Sequence, residues 1–299
     1  MPIVGMGLRL ARFPLDSCVG RNPMGEIRVI TRRDAPEVLR LLNLRPIDNI
    51  VVLSRVRKLG VERISLGNDL VGYWENGTLV SFISDGYSLH PVNATDAALD
   101  GFCERLDHRR CGSIVGVRDE TMGLWKRLCD HSFTQWASPR EVRDHQKVLA
   151  ISSNPLVRPD RNVQIIPTRY LDSYLDAATA MYTEEVGVAP LDTQGSYRDH
   201  VASMMMRGCT MGVRQSGRVV FKADIVADAD QICQVGGVWL DPRWRGRGFS
   251  ETLVAGVVAL CRERFPTVTL YVNSYNQPAL RCYAAIGFVQ VGECATVYY

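Results

Sequence analysis

Two patterns of apolar residues, one strand-like and one helical, recur in the same order in the first and second halves of the chain. LVGYWENGTLVSFIS (Leu70 to Ser84) and TMGVRQSGRVVFKAD (Thr210 to Asp224) each contain two apolar runs around a tight turn. Apolar runs joined by a short glycine-containing segment are typical of β-hairpins. The glycines of the two segments occupy the same relative positions, Gly72 with Gly77 and Gly212 with Gly217.

The similarity continues downstream of the hairpins. A strand-to-helix segment begins at Ile114 (IVGVRDETMGLWKRL), and a comparable one begins at Thr269 (TLYVNSYNQPALRCY). The segments Val117–Phe133 and Val272–Phe288 have equal length, and each phenylalanine is expected to open another strand. Each half also starts with a short strand, IRVIT or VQIIP, followed by a helix-like stretch. Matching spacing over several elements indicates an internal repeat.

We therefore predict an α/β fold with a mixed sheet, made of two copies of one unit in tandem. Each copy is expected to run strand, helices, β-hairpin, strand, helix, strand, helix, strand. Residues 1–24 are expected to form a flexible leader and residues 25–151 the first domain. The linker spans residues 152–162, which are rich in proline and polar side chains, and residues 163–299 form the second domain.

Only the second half carries a glycine-rich stretch between a predicted strand and a predicted helix. QICQVGGVWLDP (Gln231 to Pro242) predicts a strand, and its adjacent glycines predict a bulge or close backbone approach. RWRGRGFSE (Arg243 to Glu251) follows, and then apolar residues recur at helical spacing. A helix start offers unpaired N–H groups and a positive dipole end. With Gly246, Gly248 and the arginines, this predicts a seat for a pyrophosphate.

The composition of the chain argues against binding to nucleic acid, metal or membrane. The chain has 299 residues, a net charge of +3 and a pI of about 8.4, which is too weakly basic to indicate nucleic-acid binding. An arginine–glycine nucleic-acid segment would also be repeated and would lack an attached amphipathic helix. The nine cysteines and five histidines lack the spacing of a metal site, and the cysteines fit a reducing compartment. No apolar run is long enough for a membrane span, so we expect a cytoplasmic protein without a metal.

A second motif supplies a family resemblance. In YVNSYNQPALRCYAAIGF (Tyr271 to Phe288), a strand end is followed by asparagines and a short helix beginning near Pro278. DPRWRGRGFSETL followed by VNSYNQPALRCYAAIGF resembles the acetyl-CoA-binding core of the Gcn5-related N-acetyltransferase (GNAT) superfamily, over roughly residues 163–299. The first half resembles the same fold without its motifs, as in two-domain actinobacterial-type acetyltransferases. The resemblance implies that the chain uses acetyl-CoA as a cosubstrate.

The resemblance also implies roles for particular residues. The strand end at Trp239 and Leu240 would pair with the pantetheine amides, and an N–H there could polarise the thioester carbonyl. Asn276 would hold the pantetheine arm, and Tyr283 would protonate the departing thiolate, although a tyrosine there can also be a packed aromatic. The groups implied to hold the pyrophosphate are Arg243, Arg245, Gly246, Arg247, Gly248 and Phe249.

The first half departs from the family pattern at each of these points. The sequence HPVNATDAALDGF, from His90 onward, stands where the phosphate loop would be and contains neither a glycine pair nor an arginine. Thr121 stands about where Asn276 would be, and Leu128 where Tyr283 would be. We therefore expect the first half not to bind CoA, and to pack against the second half as a wall of the substrate cleft.

Amine acylation also needs a proton acceptor. Asp224, in the second strand of the hairpin, is a candidate base if it points inward, and Lys222 would then share its face. A solvated aspartate at a strand end is the alternative. Glu184 and Glu185 either attract a cationic amine or belong to an exposed helix face.

The sequence thus predicts an acetyl-CoA-dependent N-acetyltransferase that acts by direct attack of an amine, through a tetrahedral intermediate. A CoA-binding regulatory module with vestigial catalysis is the alternative. The acceptor stays open between protein lysine, peptide amino terminus, polyamine and antibiotic amine, and so does the oligomeric state. Neither nucleic acid nor membrane is expected as a partner.

Overall fold

The computed structural model describes residues 25–106, 110–131, 136–190 and 195–299. The predicted leader, residues 1–24, and Phe133 lie outside the described residues. The described part of the first half contains six strands and five helices, in the order predicted for one unit. They are β1 (Glu26–Val29), α1 (Ala35–Leu44), α2 (Ile50–Leu59), α3 (Arg63–Leu66), β2 (Asp69–Glu75), β3 (Thr78–Asp85), β4 (Ser88–Val92), α4 (Asp96–Leu106), β5 (Ser113–Val117), α5 (Arg118–His131) and β6 (Glu141–Ile151).

The second half repeats this order with six more strands. Its elements are β7 (Gln164–Ile165), α6 (Leu171–Val186), α7 (Ser196–Met206), β8 (Thr210–Gln215), β9 (Arg218–Ala229), β10 (Ile232–Leu240), α8 (Phe249–Arg262), β11 (Thr267–Asn273), α9 (Gln277–Ile286) and β12 (Val289–Tyr298). None of the described helices is long and apolar enough to span a bilayer.

The two predicted hairpins are present and have the same turn. Asn76 and Gly77 have φ angles of 50° and 78°, and Ser216 and Gly217 have 49° and 80°. Two successive positive φ angles match the twist of the flanking strands, and glycine adopts them without the steric cost of a side chain. The hairpin glycines predicted from the repeat therefore occupy equivalent places in β2–β3 and β8–β9.

All twelve strands belong to one sheet, and its centre is interleaved between the halves. The strand order is β1-β2-β3-β4-β5-β12-β6-β11-β10-β9-β8-β7. β6, the last strand of the first half, is antiparallel to β11, and β12, the last strand of the second half, is antiparallel to β5. Each half thus contributes the strand that borders the other half, and β6 and β12 pair with each other. We call this arrangement the strand exchange.

Helices cover both faces of this sheet. The apolar sides of α8 and α9 pack with β9, β10 and β11 in one core, which includes Phe221, Val235 and Leu270. On the other face, α6 contacts β9 and β10, and α2 of the first half contacts the same two strands. Two ion pairs, Arg57–Asp230 at 3.0 Å and Lys58–Asp228 at 2.5 Å, join α2 to the second half.

The predicted linker, residues 152–162, contains no helix or strand and lies beside α8. The Asp160 N–H donates to the Thr252 carbonyl at 2.9 Å. A Cβ on Gly256 would lie 2.7 Å from the Asp160 carbonyl oxygen, so only glycine allows this approach. Since strands of both halves are interleaved, the division into separate domains stays a prediction.

Candidate active site

A wedge-shaped opening separates β10 from β11 at the centre of the second half. The two strands are parallel and pair only from Ile232 with Thr267 to Gln234 with Thr269. Beyond that point, β10 continues to Leu240 and β11 to Asn273 without pairing to each other. One edge of β10 therefore presents main-chain N–H and C=O groups to the opening, as an edge strand does. We call this opening the wedge.

A bulge interrupts β10 beside the wedge, at the adjacent glycines expected to cause one. The register with β9 shifts between Gly236 and Trp239, and Gly237 has a φ of 55°. A Cβ on Gly237 would lie 2.6 Å from Asp224 Oδ2 and 2.8 Å from Lys222 Nζ. Both the left-handed φ and this crowding require glycine at the position.

A buried ion pair lies under the bulge. Lys222 is fully buried, and its Nζ donates to Asp224 Oδ2 at 2.5 Å and to the Gly237 carbonyl at 2.8 Å. The other Asp224 oxygen accepts from the Tyr174 hydroxyl at 2.5 Å. Asp224 is 8% exposed and lies within β9, with Lys222 on the same face. Asp224 thus points inward, and both its oxygens already have partners.

The predicted anion seat lies where α8 begins, as the sequence places it. Gly248 is the residue before the helix and has a φ of 79°, and Gly246 has a φ of 71°. A Cβ on either glycine would meet nothing within 4 Å, so the space around this turn is open. Within the described chain, the main-chain N–H groups from Gly246 to Glu251 find no acceptor outside the helix. Exposed, unpaired donors at a helix start are suited to a phosphate group.

The three arginines of the loop have different partners. Arg243 donates to Asp241 Oδ2 at 2.6 Å and holds the pKa of that carboxyl down at about 2. Arg245 donates to the Leu240 carbonyl at 2.8 Å and to Glu184 Oε2 at 2.6 Å. Of the three, Arg247 is the one without a partner among the described residues. Its guanidinium is therefore available to an anion without displacing a carboxylate.

Glu184 and Glu185, at the end of α6, are not a free acidic patch. Besides Arg245, Glu184 accepts from the Trp239 indole N–H at 3.0 Å, which joins α6 to the end of β10. Glu185 accepts from Arg143 at 3.2 Å, and Arg143 lies on the exchanged strand β6. From the sequence, these glutamates either attract a cationic amine or belong to an exposed helix face. Neither interpretation included the contacts with Trp239, Arg245 and Arg143.

The start of α9 places the second motif beside α8, which it contacts. Asn276 precedes α9, and its Oδ1 accepts from the Ala279 N–H at 3.2 Å as a helix cap. Tyr283 is largely buried and packs edge-on against Phe288, with ring centroids 5.6 Å apart. Burial raises the pKa of the Tyr283 phenol above its ordinary value, and Cys282 and Glu185 raise it further. The phenol is therefore protonated at neutral pH and able to donate.

In the first half, side chains cap the N–H groups at the start of α4, the helix equivalent to α8. Thr95 precedes α4, and its hydroxyl accepts from the Ala98 N–H at 3.2 Å. Glu120 accepts from the Ala94 N–H at 3.0 Å, so a carboxylate occupies the place next to this helix start. Leu128 is fully buried in the core of the first half. Capped donors and a nearby negative charge disfavour a phosphate at this helix start, and the expectation that this half does not bind CoA stays a prediction.

The predicted site residues thus fall into four groups. Those of the glycine-rich loop lie at the start of α8, and those of β10 border the wedge. Asn276 and Tyr283 belong to α9 and its cap, and α9 contacts α8. Asp224 lies beneath the bulge. Sequence reasoning missed Tyr174 and the links made by Glu184. Among the described residues, no cluster of three or more histidine, cysteine or acidic side chains could hold a metal ion.

Two family models match parts of the chain. Residues 210–297 match the family described as FR47-like protein, and residues 68–174 match a domain of unknown function, DUF4081. A mycothiol acetyltransferase from Nocardioides sp. (strain ATCC BAA-499 / JS614) is 37% identical over 84 residues, which is 27% of this chain and 28% of that protein. The match therefore spans little more than a quarter of that relative.

Solved structures match almost the whole chain at low identity. A GCN5-related N-acetyltransferase from Sphaerobacter thermophilus is 16% identical, with a TM-score of 0.60, over 93% of this chain and 96% of that one. A tandem GNAT protein from the clavulanic acid biosynthesis pathway is 11% identical, with a TM-score of 0.51, over 92% of this chain and 98% of that one. The predicted fold class and the resemblance to the GNAT superfamily are confirmed.

Proposed function

We propose that this chain, whose fold is a tandem pair of GNAT units, is an N-acetyltransferase that transfers the acetyl group of acetyl-CoA to an amine. One observation carries the proposal. The unpaired N–H groups at the start of α8 lie next to a wedge between β10 and β11, and both are features of the second half. A seat for a diphosphate beside an open strand edge suits a long cofactor with amides in its arm.

The chain's own groups would bind the cofactor in two places. The N–H groups from Gly246 to Glu251, with the free Arg247 guanidinium, hold the pyrophosphate at the positive end of α8. Arg243 and Arg245 mainly shape the loop, through Asp241 and Glu184, and add positive charge nearby. The open edge of β10 up to Trp239 and Leu240 pairs with the amides of the pantetheine arm, as an added strand would. The Nδ2 of Asn276 is free to contact the arm, because only its Oδ1 caps α9.

The bound acetyl-CoA supplies a thioester. A main-chain N–H of β10 next to the bulge polarises the thioester carbonyl and stabilises the negative charge that develops on its oxygen. The acceptor nitrogen attacks directly, so a C–N bond forms and the C–S bond breaks. Tyr283 donates its phenolic proton to the departing sulfur, and the proton released by the amine leaves to a base or to water. The Tyr283 phenolate then regains a proton from water, so the enzyme returns to its starting state. No group of the enzyme is acylated in this scheme.

Asp224 remains a candidate base, and its surroundings favour a second role. A base needs a free lone pair directed at the amine, whereas the Asp224 oxygens accept from Lys222 and Tyr174. Lys222 also holds the Gly237 carbonyl, which fixes the direction of the neighbouring N–H groups in the bulge. We infer that Asp224, Lys222 and Tyr174 position β10, and that the Asp224 carboxylate acts through this contact.

The alternative, a CoA-binding regulatory module, shares the seat and the wedge but needs no phenol at the sulfur. The buried, protonated Tyr283 favours the enzyme. The test is release of free thiol from acetyl-CoA by the whole chain with a panel of amines, alongside calorimetry with CoA. Binding with amine-dependent thiol release supports the enzyme, and binding without turnover for any amine supports the module. An absence of CoA binding would overturn both proposals.

A further inference from the structure

A small cavity lies between the two halves, on the sheet face that α2 and α6 share. Its first-half wall comes from the segment before α2 and from β4 and β5, including Asp48 and His90. Its second-half wall includes Gln234 of β10, Tyr271 of β11 and Cys294 of β12. The volume is about 50 Å³, and we call it the inter-half cavity. By this measure one water needs roughly 10–15 Å³, so the cavity suits the end of an alkyl chain and not a whole sugar or nucleotide.

One wall carries a buried amide without a partner. Gln234 is 5% exposed, and its Oε1 has no hydrogen-bond partner among the residues that the structure describes. A buried acceptor left unpaired is unfavourable, so such groups in proteins usually meet a ligand or an ordered water. The Gln234 amide lies on the same strand as the bulge, three residues before Gly237.

The opposite wall carries a carboxylate that lacks a partner. Asp48 makes no hydrogen bond or ion pair with any residue in the described part of the chain, and its Oδ1 lies 2.9 Å from the position of a Cβ on Gly292. Burial raises the pKa of the Asp48 carboxyl, as expected for a charge without a close counterion, while Arg45 lowers it. Arg45 itself pairs with Glu120, which offsets its positive charge.

No cation on the cavity wall competes for these groups. Burial, together with the nearby charge of Arg55, lowers the pKa of His90 to about 4, so the ring is neutral at physiological pH. Asp48 and the Gln234 oxygen are both hydrogen-bond acceptors without a donor in the described part of the chain, and the carboxylate adds negative charge. A group with several N–H donors and a positive charge satisfies both at once.

We propose that the inter-half cavity binds a primary ammonium group at the far end of the acceptor, so that the acceptor is a long diamine or polyamine. This proposal rests on the proposed function, because it adds the second end of the same substrate. One nitrogen is held as an ammonium by Asp48 and Gln234. The other is neutral and attacks at the bulge.

The distance between the inter-half cavity and the bulge at Gly237 determines how long the acceptor must be. Gln234 lies three residues before Gly237 on β10, and strands rise about 3.3 Å per residue, so the two points are roughly 10 Å apart. Tyr271 of β11 borders the cavity and lies in the part of β11 beyond its pairing with β10, so the cavity adjoins the wedge. An extended chain of about eight carbons between two amines spans this distance.

The experiment compares 1,8-diaminooctane with 1-octanol, which has a chain of the same length and no charge, by calorimetry on the whole protein with and without saturating CoA. We expect the diamine to bind at least tenfold more tightly than 1-octanol. Asp48→Asn, which removes the charge and keeps the shape, should abolish that difference and leave the affinity for 1-octanol unchanged. Asp130→Asn makes the same change at an exposed site on α5 and should have no effect.

Thermal unfolding and CoA affinity of Asp48→Asn establish that the variant is folded. Equal affinity for the diamine and 1-octanol in the unchanged protein, no binding of the diamine, or an Asp48→Asn variant that keeps the preference would each overturn the proposal. Failure of the proposed function is a separate result, namely no binding of CoA, and the amine titrations without CoA still report on the cavity. With acetyl-CoA, the KM for 1,8-diaminooctane should rise at least tenfold in Asp48→Asn while kcat stays within about twofold.

Discussion

Replacing Lys222 with methionine tests the contact that fixes the bulge. The change keeps the length of the side chain but removes the charge that donates to Asp224 at 2.5 Å and to the Gly237 carbonyl at 2.8 Å. Breaking a fully buried ion pair by removing one partner destabilises a protein by about 3–5 kcal/mol. The Gly237 carbonyl also loses its side-chain donor, so we expect a loss of about 4 kcal/mol.

For a chain of this size, each kcal/mol lowers Tm by roughly 2–4 °C, which predicts a fall of about 10 °C in thermal unfolding. The second variant, Lys222→Met with Asp224→Leu, removes both charges. Replacing a buried pair by apolar residues is often neutral, so its stability should return to within about 1–2 kcal/mol of the original. Tyr174 keeps an acceptor there, because its hydroxyl also contacts the Ala223 carbonyl at 3.3 Å.

Because the double variant is expected to be nearly as stable as the original protein, its kcat reports on catalysis and not on a loss of folding. If Lys222 and Asp224 position the bulge, kcat should fall about tenfold, while affinity for CoA is retained because the seat at α8 is intact. A general base contributes about 10²–10⁴-fold, so a fall beyond a hundredfold would identify Asp224 as the base. If Lys222→Met unfolds at the original temperature with the original kcat, the reasoning about the bulge is refuted.

Three further predictions concern the seat, the phenol and the strand exchange. Gly246→Glu places a carboxylate beside the seat and should abolish CoA binding in calorimetry, whereas Gly217→Glu, at a similar φ and equally open, should bind normally; equal affinities would contradict the seat. Tyr283→Phe should lower kcat at least tenfold with an unchanged Kd for CoA, and full activity would remove its role as the acid. Since burial raises the Tyr283 pKa, the kcat of the original enzyme should not fall between pH 7 and about 9.5. Residues 152–299 alone should lack cooperative unfolding by circular dichroism, because β11 loses β6; a sharp transition would contradict this.

Much of the fold follows from local signals. The two hairpins are predictable because Asn76-Gly77 and Ser216-Gly217 are tight-turn dipeptides between apolar runs. The start of α8 is predictable because Gly248 precedes a helical apolar period. The strand exchange is not predictable in this way, because β6 and β12 find partners far away in the chain and strand pairing at long range leaves no local pattern.

The residues of the candidate site also differ in whether the local sequence predicts them. The residues of the phosphate loop share one continuous stretch, so their neighbourhood is already present in the sequence. Lys222 and Asp224 could be expected to share a face from their spacing of two along a strand, but not to be enclosed. Tyr174 and Glu184 reach the site from α6, and their contacts depend on how that helix lies across the sheet. No spacing in the sequence encodes that angle.

The strand exchange has a consequence for how such a chain can change over time. Because β6 borders β11, which forms one side of the wedge, the first half supplies part of the frame of the wedge. Residues of the first half that serve no ligand could therefore change freely, whereas deletion of that half would remove a strand from the sheet. A gene fragment encoding the second half alone would produce a sheet with a gap between β11 and β12.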